Sequence, residues 1–141
     1  MTFTLDDLNY FKENNALIEI KNGGLLIGEL HDTYRVKVLI QTKEGIWEPT
    51  LEMEGWEYIM NPKATKKHIK EINRINNEFN GNEPFEKYEI PKNIKTIDAQ
   101  PMDIKNPTTG KLLLLGDEPQ FIINKNSTKK YLTILDNLNK E

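Results

Sequence analysis

Hydrophobic and polar positions alternate with two different periods along this chain, and the changes of period divide it into elements. Leu5, Leu8 and Phe11 recur at helical spacing behind Thr4, whose hydroxyl can cap a helix, and Asp6 and Asp7 complement the positive helix end. A short N-terminal helix ending at Asn14-Asn15 is predicted. Ala16–Lys21 and Leu25–Leu30 read as strands joined by Asn22-Gly23-Gly24, residues that accept positive φ, and therefore as a hairpin. Tyr34, Val36 and Val38 then alternate with Arg35 and Lys37, the period of a half-exposed strand over Tyr34–Thr42. Between Ile46 and Met60, Trp47, Leu51 and Met53 share one parity and Glu48, Glu52 and Glu54 the other. Gly55 interrupts that pattern ahead of Trp56, Tyr58 and Met60. Pro49 has no ladder N–H to offer, which predicts an edge position or a bulge.

Asn61-Pro62 is a cap followed by a proline at the first helical position, where its missing N–H costs nothing. Ile69, Ile72, Ile75 and Phe79 follow at helical spacing among Lys63, Lys66, Lys67, Lys70 and Arg74, so a central helix over about 62–79 is predicted, stopped by Asn80-Gly81. Pro84, Pro91, Pro101 and Pro107 exclude a helix between Glu83 and Pro107 and leave room for short strands such as 87–90 or 94–97. Phe85, Tyr88, Ile90, Ile94 and Ile97 are too many apolar groups for a free linker, so this stretch reads as an arm packed on the body. Pro107–Gly110 turns into Lys111–Leu115, and Gly116-Asp117 turns again before Gln120–Asn124, which predicts a second hairpin. Asn126 or Ser127 caps a C-terminal helix bearing Tyr131, Leu132, Leu135 and Leu138.

Strands that cluster before helices imply an α+β class and not βαβ alternation. One domain over 1–141 is expected, made of 1–80 (helix, bent sheet and central helix), the Pro-rich arm 81–107 and the hairpin with its helix over 108–141. Gly24, Gly28, Gly45 and Gly55 should bend the early strands, so the sheet is expected to be antiparallel and strongly bent or to form a partly closed small barrel. The segment Ile18–Leu30, with its Lys21-Asn22-Gly23 turn and mid-strand Gly28, resembles the opening strands of Sm-like and other small barrels. That resemblance implies a barrel; the nucleotide-binding loops of that family have no counterpart downstream.

Composition narrows the chemistry. With 141 residues the chain can bury roughly 68–70% of the surface its unfolded form exposes, enough for one core. The absence of cysteine excludes disulfides, thiolate metal sites and thiol nucleophiles. A net charge of −3 argues against a general nucleic-acid binder, which needs a basic excess to neutralise phosphates. Asp6 and Asp7 stand where a signal peptide would be cationic, and the longest apolar run is Leu112–Leu115, so a cytoplasmic location is expected.

Thr109-Gly110-Lys111 is not a phosphate cradle, because position 105 is Lys where glycine is required and position 112 is Leu where Ser or Thr is required. Of the two histidines, His31 adjoins Asp32 at a strand end and His68 lies one helical turn from Glu71. Neither pair outweighs a solvated histidine or a turn aspartate, and no catalytic residue, metal or cofactor is expected. The charge pattern carries more. Between Glu29 and Met60 seven acids outnumber three bases, whereas between Asn61 and Asn80 five bases outnumber two acids.

Three accounts of that polarity stay open: the lysine helix is a solvated face that neutralises the acidic strand, the acidic face docks a basic protein, or the lysines contact phosphates. The expected function is a non-enzymatic protein-binding inhibitor or neutraliser, of the size and charge of bacterial immunity proteins and phage-encoded inhibitors. Its basic partner, a toxin or nuclease, would meet Glu48, Glu52, Glu54 and Glu57 with Trp47, Trp56 and Tyr58 as anchors. The alternative is a small-barrel nucleic-acid or nucleotide binder using Lys66, Lys67, Lys70 and Arg74, with Tyr34 or Trp56 in support. An enzyme with scattered carboxylates ranks third. A homo-oligomer through the Pro49 edge or the arm Phe85–Ile97 fits the same pattern.

Overall fold

Thr4 and Asp7 close the first helix with a reciprocal capping box: the Asp7 N–H donates to Thr4 Oγ1 at 3.2 Å and the Thr4 N–H to Asp7 Oδ2 at 3.0 Å. The computed structural model describes residues 4–14, 17–28, 30, 36–41, 44, 47–100, 112–115 and 118–141. Along them run α1 (Leu5–Glu13), β1 (Leu17–Glu19), β2 (Gly24–Ile27), β3 (Val36–Gln41), β4 (Trp47–Met53) and β5 (Tyr58–Ile59). Then follow α2 (Pro62–Lys67), α3 (Ile69–Glu78), β6 (Thr96–Asp98), β7 (Leu112–Leu115), β8 (Ile122–Ile123) and α4 (Lys125–Lys140). The class is α+β, with helices at the N-terminal and C-terminal ends.

The described strands form two mixed four-stranded sheets, ordered β1-β7-β3-β4 and β6-β2-β5-β8, and no closed barrel. Neither expected hairpin forms. β1 runs parallel to β7, whereas β2 pairs with β5 and β6 in the other sheet, and β7 and β8 are likewise divided between the sheets. The turn after β1 is a crossing point between sheets. Gly23 takes φ +72°, and a Cβ there would stand 2.4 Å from the Ile59 carbonyl oxygen, so its glycine serves close approach as well as the turn. Gly55 similarly lies against the Gly28 backbone, leaving 2.0 Å for a Cβ.

Adjacent residues of the second sheet serve opposite cores. Leu25 and Tyr58 face a cluster with Ala64, Ile72, Ile75, Ile123 and Leu135, which joins the sheet to α2, α3 and α4. Leu26 and Ile59 face Val38, Met53, Leu113 and Ile97, which fill the space between the sheets. On the outer side of the first sheet, Leu8 of α1 covers Leu39. The layers are thus helix, sheet, sheet, helices. Burial on both faces explains why β2 reads as a continuous apolar run without alternation.

The central helix is broken at His68 (φ −116°, ψ 22°) into α2 and α3. The arm packs on the body as far as it is described: Leu25 N–H donates to Lys95 O at 2.8 Å, Ala99 N–H to Ile27 O at 2.7 Å, and Ile94, Ile97 and Ala99 are buried. Its strand is Thr96–Asp98, parallel to β2, and none forms at 87–90. Residues 101–111, with the Thr109-Gly110-Lys111 turn, lie outside the described residues.

Asn124 caps α4, two residues ahead of the first expected position. Its Oδ1 accepts from Ser127 N–H at 2.8 Å while its Nδ2 donates to the carbonyls of Asn76 and Phe79, each at 2.8 Å, closing the C-terminal end of α3 onto the start of α4. Losing a cap together with partners for two helix-terminal carbonyls should cost about 2–3 kcal/mol for Asn124→Ala. For Asn126→Ala, whose contacts are exposed, the expected loss is below about 1 kcal/mol. Urea unfolding of both variants checks the ranking, and equal losses would contradict it.

Candidate functional site

Strand β4 carries the acidic residues, and its register decides where they point. Val38 pairs with Leu51 but Leu39 pairs with Pro49, so Thr50 is an extra residue that bulges out of the ladder. Glu52 therefore sits opposite Lys37 and Glu48 opposite Ile40, positions of different parity on β3, and the two carboxylates lie on opposite faces of the sheet. Both are exposed. Among the described residues β4 has a ladder neighbour on one side only. The Trp47 backbone pairs with Gln41 at the start of β4; its side chain lies outside the described residues.

Beyond Met53 the chain leaves the sheet edge and the remaining expected contact residues turn inward. Glu54 is half-buried, with Oε1 2.8 Å from Lys125 Nζ, and the same ammonium donates to the Gly81 carbonyl. The Glu57 carboxylate accepts from the Glu54 N–H at 2.9 Å. Trp56 adopts φ +74°, a left-handed conformation that costs a non-glycine residue of order 1 kcal/mol or more. Its ring is 8% exposed and packs against Tyr88 (centroids 5.1 Å apart) and Phe85 (6.1 Å) from the arm. Tyr58 is fully buried and donates to Asp136 Oδ1 at 2.7 Å. Trp56 and Tyr58 consequently present no ring to a partner, and the expected set Glu48, Glu52, Glu54 and Glu57 does not form one exposed face.

On the helical side Lys63, Lys66, Lys67 and Lys70 are all exposed, and their side chains have no ion-pair or hydrogen-bond partner among the described residues. Arg74 lies 3.8 Å from Glu71. His68 Nε2 is 2.7 Å from the Glu141 carboxylate, so the residue opposite it is Glu141 and not Glu71. His31 and Asp32 lie outside the described residues. Among the described residues no three His, Cys, Asp or Glu side chains gather into a metal-binding group. Lys66 borders an open groove of about 550 Å³ with Pro62, Thr65, Ile69, Glu118 and Pro119.

No family model, curated protein or solved structure matches the chain.

Local pattern explains the exposed lysines, which occupy the polar positions of an amphipathic helix. It offers no signal for the covering of Trp56 by the arm or for the Glu54–Lys125 pair, whose members are 71 residues apart. The turn has one titratable consequence. Burial, reinforced by the neighbouring Glu54 charge, pushes the Glu57 carboxyl up to about 7, against an opposing hydrogen bond from the Glu54 backbone and the Lys125 charge. The folded chain then holds a proton that the unfolded chain, with a carboxyl near 4.5, has released, so stability falls as pH rises from 4.5 through about 7. Glu57→Gln keeps an oxygen for the Glu54 N–H and removes the charge. Its melting temperature should exceed that of the parent at pH 8 and converge with it at pH 5; a constant difference at both would contradict this assignment.

Proposed function

We propose that the chain is a non-enzymatic protein-binding module of the inhibitor or neutraliser type that docks a basic partner along the edge of β4. The observation that supports this is the pairing of a strand edge that has no ladder partner among the described residues with two exposed carboxylates, Glu48 and Glu52, one on each face of the sheet. A basic segment laid against that edge would meet a carboxylate above and below the sheet plane, whereas a flat partner surface would meet only one. Pro49 and the Thr50 bulge interrupt continuous ladder pairing, so charge and not backbone addition would select the partner. The partner's basic character follows from complementarity, which raises association rates and rejects acidic competitors.

The test is a pull-down of the tagged full chain from its native host at moderate salt, with mass spectrometry of the eluate and kinetics on the purified partner. One stoichiometric basic protein is expected. Glu48→Lys with Glu52→Lys should slow its association by about tenfold or more at low salt and much less at high salt. Retention of the partner by the double variant, or recovery of no protein, would overturn the proposal.

A further inference from the structure

We infer that the groove beside α2 is a second docking site, on a different layer from β4, and that it takes an acidic protein segment bearing a bulky apolar side chain. Its walls are built independently of any ligand. The Phe121 N–H donates to Thr65 Oγ1 at 3.0 Å, and Gln120 Nε2 donates to the carbonyls of Met60 at 3.0 Å and Ile20 at 2.9 Å. These bonds hold the segment carrying Glu118 and Pro119 against the start of α2. Pro62, Ile69 and Pro119 make the lining apolar, and Ile69 is 44% exposed there. A volume of about 550 Å³ accommodates one or two large side chains.

The rim identifies the occupant. Lys66 borders the groove, Lys63 and Lys67 stand on the same short helix, and Lys70 follows just beyond the break at His68 in the first turn of α3. Four exposed ammonium groups without a partner among the described residues repel one another, in a chain whose net charge is −3. Carboxylates brought by a partner would relieve that repulsion, while burial of an apolar anchor against Ile69 would supply affinity at a site that charge alone would leave weak. A nucleic acid matches the charge but not the lining. Among the described lining residues there is no aromatic ring to stack a base and no arginine fork for a phosphate, only proline, isoleucine, threonine, lysine and glutamate. This inference does not depend on the β4 reading, because the two surfaces carry opposite charge and share no residue.

The experiment titrates the isotope-labelled full chain with three defined probes, followed by amide chemical shifts. The probes are a ten-residue peptide of Glu and Asp around a central Leu-Trp pair, the same peptide with Lys and Arg in place of the acids, and a ten-nucleotide oligothymidine. Saturable shifts centred on Thr65, Lys66, Ile69 and Glu118 are expected for the acidic peptide alone. Lys66→Glu with Lys67→Glu and Lys70→Glu should weaken it about tenfold or more. Ile69→Ser, at an exposed position, should weaken it while leaving the melting temperature close to that of the parent. Glu48→Lys with Glu52→Lys should leave peptide binding unchanged even if it abolishes the basic partner, so the two proposals fail separately. Tighter binding of oligothymidine, shifts centred elsewhere, or no shift with the acidic peptide would each overturn the inference.

Discussion

The buried carboxylate of Asp136 is the constraint around which the helical side of this protein is arranged. It lies in α4, 1% exposed, and accepts from the Tyr58 hydroxyl at 2.7 Å and from the Lys95 N–H at 3.2 Å, with Lys140 Nζ 2.7 Å from its second oxygen. A carboxylate taken out of water is tolerated only with such partners, and here they come from β5, the arm and the last turn of α4. Burial and the neighbouring carboxylate push the Tyr58 phenol well above its usual range, so it stays protonated and keeps donating. One turn further, Asn139 Oδ1 accepts from the Asn61 N–H at 2.7 Å and its Nδ2 donates to Asn22 O at 3.1 Å. The start of α2 and the crossing turn between the sheets are thereby set against the same helix.

With α4 positioned, the arm has a fixed course. Lys95 binds both Asp136 and β2, and the arm's Phe85 and Tyr88 close over Trp56. Lys129 of α4 stands 5.7 Å from both of those arm rings and donates to the Glu86 carbonyl, a cation–π and hydrogen-bond clasp on the outside of the cluster. The left-handed backbone at Trp56 is held because a fully packed aromatic cluster stabilises that ring position. The acidic stretch is divided by the same packing: Glu54 is taken by Lys125, Glu57 is drawn inward, and Glu48 and Glu52 are left at the sheet edge.

The lysine face and the acidic strand do not neutralise each other. Among the described residues, ion pairs join Glu54 to Lys125, Glu71 to Arg74 and Glu78 to Lys130. Lys63, Lys66, Lys67 and Lys70 stay unpaired among the described residues because α2 and α3 pack on the second sheet, whereas β4 is the outer strand of the first. Charge is thus separated between layers, with Glu48 and Glu52 on the outer strand of one sheet and the four lysines on the helices packed against the other.

Local chemistry was sufficient wherever one segment answers to its own neighbours. The capping box at Thr4, the Asn61-Pro62 helix start, the Ile72 and Ile75 face, the irregularity beside Pro49 and the burial wanted by Ile94 and Ile97 are all legible in the sequence, because each depends on residues a few positions apart. So is the α+β class. Tertiary structure alone decided which strands pair, since the turn at Asn22-Gly23-Gly24 serves a hairpin and a crossing between sheets equally well, and the partner of β1 lies some 95 residues away at Leu112–Leu114. It decided the candidate site for the same reason. A single bulged residue, Thr50, changes the face on which Glu48 stands, and whether Trp56 is an anchor for a partner or a member of the core depends on an arm that reaches it from thirty residues downstream. Periodicity records which side chains seek burial; only the packing of distant segments determines what buries them.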